Sequence, residues 1–204
     1  MKNINKLKIF IYLFFFLLLI FYLTFKQKNY YTIPTYSKNN YLNAVIEIPA
    51  GTNMKIEYNP GINSFMPDVV NGQDRVIKFL PYPGNYGFIP STFMDTKLGG
   101  DGDALDILVI AESVPVKTIM EVIPIAIIKL LDENEIDNKI IAIPVNSEER
   151  IINVKTFSEF EEKYPVAKNI IENWFSSYEK NGQIKFLGWE DENHAKEEIK
   201  KWMK

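Results

Sequence analysis

Three aspartates fall within six residues in Asp101-Gly102-Asp103-Ala104-Leu105-Asp106, beside the apolar run Ile107-Leu108-Val109. Glycines at 99, 100 and 102 permit a tight turn that aims the first two carboxylates at one point. Asp106 enters the following strand with its side chain on one face. Carboxylates this close repel one another unless a cation lies between them, so a hard, oxygen-preferring metal such as Mg²⁺ is the expected occupant. An EF-hand calcium loop does not fit, because Leu105 and Asp106 stand where that loop needs a fifth-position Asp or Asn and a sixth-position glycine. Taken alone, the stretch also reads as a solvated acidic turn. A second acidic group, Leu131-Asp132-Glu133-Asn134-Glu135-Ile136-Asp137-Asn138-Lys139, lies between two apolar runs and by itself reads as a hairpin loop.

Composition narrows the chemistry. The chain has no cysteine, which excludes disulfides, zinc-thiolate sites and a cysteine nucleophile. Its one histidine, His194, lies in a polar C-terminal stretch and reads as a surface residue. Chemistry must therefore run on carboxylates, lysines, arginines and tyrosines. Five lysines and no acids fall in residues 1–28, and the remainder carries 18 basic and 26 acidic residues, a net of −8. That balance is the opposite of a nucleic-acid footprint.

The elements that must position these groups follow from periodicity. Residues 1–8 form a basic tail. Ile9–Phe25 is an uninterrupted apolar run of about 25 Å as a helix, read as a transmembrane signal anchor. Lys26-Gln27-Lys28-Asn29-Tyr30-Tyr31 follows, without the small-residue pattern of a cleavage site. The lysine bias puts the N-terminus in the cytoplasm and the C-terminal domain outside it; cleavage with secretion, or a cytoplasmic domain, are the other expectations. Residues 26–40 read as a linker and 41–204 as one domain. In that domain, Asn43–Ile48, Lys55–Asn59, Val76–Phe79, Ala104–Ile110, Ile119–Leu131 and Lys139–Pro144 read as short strands of a β-barrel or sandwich. Beyond Thr156 the period becomes helical. Ser158 is the expected cap, Val166, Ile170, Ile171, Trp174 and Phe175 share a face, Asn181-Gly182 ends that helix, and Asn193–Met203 forms another.

Further motifs accompany the aspartates: Ile46-Glu47-Ile48-Pro49-Ala50, Lys55-Ile56-Glu57, Asp74-Arg75, Tyr82-Pro83-Gly84-Asn85-Tyr86-Gly87-Phe88-Ile89-Pro90, Asp132 to Lys139, Phe175-Ser176-Ser177-Tyr178 and Gly188-Trp189. In order and spacing, from Tyr41 nearly to the C-terminus, the chain resembles the family I soluble inorganic pyrophosphatases, whose signature is D-G-D-P-x-D followed by an apolar strand. The resemblance implies an α+β, mainly β fold, a five-stranded OB-type barrel with C-terminal flanking helices. It implies hydrolysis of diphosphate by a metal-activated water, with several Mg²⁺ per site and Mn²⁺ or Zn²⁺ as substitutes. Asp101, Asp106 and Asp137 match the tightest metal ligands, Asp132 with Asp137 the ligands of substrate-associated metals, and Glu47 and Glu57 acids around the metal and water network. Asp103 matches the carboxylate that deprotonates the attacking water, and Tyr86 stands with it in the catalytic set. Lys55, Arg75, Tyr86, Lys139 and Tyr178 match phosphate contacts, and Tyr82 a tyrosine near the site. Homo-oligomers are common in the family.

Two positions depart from the pattern. Ala104 replaces the signature proline without removing a ligand, and Glu179 precedes Lys180 where the family has lysine directly after the tyrosine. The competing functions are hydrolysis of another phosphoanhydride such as short polyphosphate, a degenerate phosphate- or metal-binding module, and an oligonucleotide-binding barrel. The last would need a basic groove with aromatic platforms, and the acidic cluster opposes it.

Overall fold

Strands form where the apolar runs are. The computed structural model describes residues 8, 11–16, 28–178 and 184–204. In chain order these hold β1 (Leu42–Ile48), β2 (Ile56–Asn59), β3 (Ser64–Pro67), β4 (Val69–Val70), β5 (Gln73–Asp74), β6 (Asn85–Phe88), β7 (Asp106–Val109), β8 (Ile119–Asp132), β9 (Glu135–Ile136) and β10 (Lys139–Pro144). Helices α1 (Phe157–Lys163) and α2 (Pro165–Ser177) follow, then β11 (Lys185–Asp191) and α3 (Glu192–Trp202).

The long β8 is the hub. Its first residues pair antiparallel with β1 (Leu42 opposite Val122), its middle with β10, and its last part with β11. β1 also pairs with β6, β6 with β7, and β7 runs parallel to β10, so the pairings close into a ring of five strands with β11 attached to β8. Alternate side chains of these strands enter two cores. Leu108, Ile141 and Ile143 pack with Phe160, Ile171, Trp174 and Phe175 of α1 and α2. Ile107, Val109, Ile140 and Ala142 pack with Ala195, Ile199 and Trp202 of α3. Burial on both faces explains why β7 and β10 read as continuous apolar runs rather than alternating ones.

Several local expectations are corrected. Val76–Phe79 is not a strand: Val76 makes one isolated bridge to Met54, and both Val76 and Phe79 are exposed. The cap of α1 is Thr156, not Ser158. Its backbone is extended and its hydroxyl accepts from Glu159 N at 3.2 Å, so the helix starts a residue before Ser158. On α2, Ile171, Trp174 and Phe175 are buried but Val166 and Ile170 face solvent, because the contact with the sheet is narrower than the apolar stripe. Asn181-Gly182 lies outside the described residues. His194 is exposed, with Nδ1 2.8 Å from Asp191, the residue that caps α3.

At the N-terminus, residues 11–16 are helical and exposed, and the rest of the apolar run lies outside the described residues. Among the described residues no helix is long and apolar enough to cross a membrane. The stretch read as a linker is structured from residue 28 onward. Tyr30–Thr32 form a 3-10 turn, Thr35 Oγ1 donates to Pro90 O at 2.9 Å, and Asn43 Nδ2 donates to Pro34 O at 2.9 Å.

Candidate active site

β7 and β10 set the centre of the site through their parallel register, which places Lys139 beside Asp106 at the start of both strands. Both side chains point to the face that carries Leu108 and Ile141, two residues further on, and so cap one end of that core with charge. Lys139 Nζ lies 2.5 Å from Asp106 Oδ2 and is also bonded to Asp137 Oδ1. The Lys139 side chain is only 4% exposed. Tyr86, on the neighbouring β6, donates its hydroxyl to Asp106 Oδ2 at 2.5 Å.

A bulge delivers Glu47. Val45 pairs with Phe88, Ile46 with Gly87 and Ile48 with Tyr86, so Glu47 is the extra residue on β1 and its side chain leaves the ladder. It is buried and accepts from Tyr58 N at 2.6 Å. This register depends on Gly87, where an added Cβ would lie 1.9 Å from Val45 O.

The two acidic groups meet because their backbones are tied. Ile136 N donates to Gly99 O at 2.7 Å, and Gly100 bridges Ile136. Gly99 and Gly102 both take φ of +85°, a conformation that costs glycine little, and they turn the chain so that Asp101 and Asp103 face Asp132 and Asp137. Asp101 Oδ1 accepts from Asp103 N at 2.9 Å and stiffens the turn. From the opposite wall come Lys55, directly before β2, and Glu57, on β2, 3.2 Å apart, and Arg75, which lies 3.2 Å from Asp68. Tyr178 ends α2 and stacks on Trp174, with ring centroids 4.9 Å apart and planes 8° apart.

All twelve residues singled out in the sequence therefore line one cleft of about 240 Å³: Glu47, Lys55, Glu57, Arg75, Tyr86, Asp101, Asp103, Asp106, Asp132, Asp137, Lys139 and Tyr178. Tyr82 sits behind it, packed between Tyr86 and Trp174. Glu179 and Lys180 lie outside the described residues. Tyr31 and Tyr58 also line the cleft and were not anticipated. Tyr31 belongs to the presumed linker, and its sequence surroundings carry no motif or periodicity that ties it to the aspartates.

Burial and mutual repulsion act on the carboxylates of the cleft. Burial pushes Glu47 up to about 8, partly offset by the hydrogen bond from Tyr58 and by Lys55. Burial likewise raises Asp101 to about 6 and raises Asp137, in each case with Asp106 adding to the effect. For Lys139 burial acts downward, but Asp106 and Asp137 outweigh it and hold the ammonium charged. Burial raises Tyr86 as well, reinforced by Asp106 and Asp137, so it remains a neutral hydroxyl donor. Among the described residues no three carboxylates form a ready metal cage. Asp106 and Asp137 close instead on the Lys139 ammonium.

The comparisons with known proteins decide the family. The Pyrophosphatase family profile, described as inorganic pyrophosphatase, matches residues 44–204. The chain belongs to the inorganic pyrophosphatase family. Among relatives of this pyrophosphatase, the inorganic pyrophosphatase of Campylobacter jejuni is 36% identical over 172 residues, covering 81% of this chain and 91% of that one. The inorganic pyrophosphatase of Saccharolobus solfataricus is 35% identical over 165 residues, covering 78% and 88%. The crystal structure of the Thermus thermophilus inorganic pyrophosphatase superposes with a TM-score of 0.71 at 29% identity, covering 85% of this chain and 95% of that one. The mainly β α+β fold is thus that of solved pyrophosphatases.

Proposed function

We infer that the chain hydrolyses inorganic diphosphate to two phosphates, with Asp103 as the base that takes the proton of the attacking water and Mg²⁺ as the cofactor. The observation that carries this reading is one cleft lined by seven carboxylates together with Lys55, Arg75, Lys139, Tyr86 and Tyr178. Carboxylates alone would repel diphosphate and cations alone would bind it without activating water; the combination serves both needs.

The residues fit a hard divalent cation. Every candidate ligand is an oxygen donor, several are held above their ordinary carboxylate range by burial, and two already close around a positive charge. Asp101, Asp106 and Asp137 would hold the tightest ions, Asp132 with Asp137 those that arrive with substrate, and Glu47 and Glu57 the surrounding waters. When bound, Mg²⁺ lowers the pKa of water and screens the charge of the substrate. Asp103 then accepts the proton and orients the nucleophile. Lys55, Arg75 and Lys139 offset charge on the leaving phosphate, and the hydroxyls of Tyr86 and Tyr178 direct its oxygens. The ring of pairings supports the OB-type barrel implied by the resemblance.

We also propose that residues 9–25 anchor the enzyme in a membrane with the domain outside the cytoplasm. Its support is the uncharged apolar run and the lysine bias before it. Protease added to intact spheroplasts should remove the domain; a protected domain would sink this orientation. The central test is phosphate release from diphosphate by the full chain, with Mg²⁺ or with a chelator, beside Asp103→Asn. Release should need Mg²⁺ and should fall roughly 10²–10⁴-fold in the variant. Release by the variant within a factor of about three of wild type would remove Asp103 from the role of base.

A further inference from the structure

The segment ahead of the family-matched region reaches the reacting centre through one hydroxyl. Tyr31 donates its O–H to Asp103 Oδ1 at 2.9 Å, across 72 residues of sequence. Two aromatic neighbours hold the ring. Its edge meets Tyr58 at 5.1 Å and Phe88 at 4.8 Å between centroids, and Tyr31 N donates to Asn29 Oδ1 at 3.0 Å. The backbone is fixed too: Ser91 N donates to Tyr31 O at 3.1 Å, and Ser91 Oγ donates to Ile33 O at 2.7 Å. The hydroxyl is therefore delivered by a packed turn rather than by a mobile tail.

Asp103 Oδ1 has a second donor, Ala104 N, at 2.8 Å. Both donors converge on one oxygen, which fixes the carboxylate plane and leaves Oδ2 as the oxygen that meets water. We propose that Tyr31 is a positioning residue for Asp103, so that the stretch linking the N-terminal apolar run to the domain is part of the catalytic apparatus. The proposal rests on the reading of Asp103 as the base. Tyr31 lies ahead of the residues matched by the family profile, which begin at residue 44.

The test is steady-state hydrolysis of Mg²⁺-diphosphate by the full chain, comparing wild type, Tyr31→Phe, Asp103→Asn and the double variant. Phenylalanine keeps the ring between Tyr58 and Phe88 and removes only the donor. Loss of one hydrogen bond to a charged group should lower kcat roughly ten- to a hundredfold in Tyr31→Phe, with KM unchanged and Tm lower by a few degrees at most, since the same bond also ties the turn to the domain. In the Asp103→Asn background the same change should alter kcat by less than about twofold, because the base that the hydroxyl positions is already gone even though the amide oxygen can still accept. An unchanged or raised kcat in Tyr31→Phe, with Asp103→Asn still severely impaired, overturns the positioning role and leaves the base assignment standing. A raised KM at constant kcat overturns it as well, since the hydroxyl would then bind substrate. An active Asp103→Asn enzyme overturns the base assignment and the proposal with it.

Discussion

Removing the charge of Lys139 tests whether the cleft is built around a cation. The ammonium is 4% exposed and bonded to Asp106 and Asp137, whose side chains are 23% and 13% exposed. Lys139→Met keeps the length of the stem and leaves two carboxylates facing each other. Breaking a buried ion pair costs about 3–5 kcal/mol, and the partial exposure of both acids puts this case near 3 kcal/mol. For a domain of this size that corresponds to a Tm lower by about 6–12 °C in the presence of chelator. Mg²⁺ should close much of the gap. At a hundredfold excess over its Kd a ligand stabilises by about 2.7 kcal/mol, and in the variant it need not displace an ammonium to do so. The assay is thermal unfolding of wild type and Lys139→Met at pH 7.5, with EDTA and with Mg²⁺. An equal loss of Tm in both conditions would refute the idea that ammonium and metal occupy the same electrostatic position.

Glu47 makes metal-free stability depend on pH. Its folded pKa of about 8 lies above the reference of 4.5, so between those values the folded chain keeps a proton that the unfolded chain has lost. Stability in chelator should therefore fall as pH rises through that window, and Glu47→Gln should flatten the slope; equal slopes of urea midpoint against pH in the two proteins would contradict this. Gly87→Ala should destabilise by about 3 kcal/mol or more, because its Cβ would lie 1.9 Å from Val45 O and 3.0 Å from Glu47 N. Urea unfolding measures it, and a loss under about 1 kcal/mol would mean that β1 and β6 can part without cost.

The site was legible through its motifs taken together. The aspartate–glycine turn alone also reads as a solvated loop, and it is the accompanying lysines and tyrosines, in short motifs of fixed order, that tie it to the pyrophosphatase pattern. β1, β7, β8 and β10 were legible from their apolar runs. β6 was not read as a strand: Asn85-Tyr86-Gly87-Phe88 is short, mixed in character and buried at every position. β11 was also missed, since Lys185–Asp191 has a glycine at its centre and a register shift around it. Val76–Phe79 has strand composition but no partner ladder, which only tertiary structure can provide. Tyr31 escaped for a related reason. One tyrosine of the Tyr30-Tyr31 pair carries no period of its own, and its value comes from a contact 72 residues away.

The closed ring has a kinetic consequence. β1 cannot complete its pairing with β8 until the chain between Val45 and Ile119 has been gathered in, and β7 must wait for β10 to arrive in parallel. Such distant pairings form late, because loop closure must be met before any contact rewards it. The cleft draws on residues from Tyr31 to Tyr178 and straddles both seams, so no partly folded species holds it. During refolding, phosphate release should therefore return after the helical signal has recovered, and its half-time reports the moment the ring shuts.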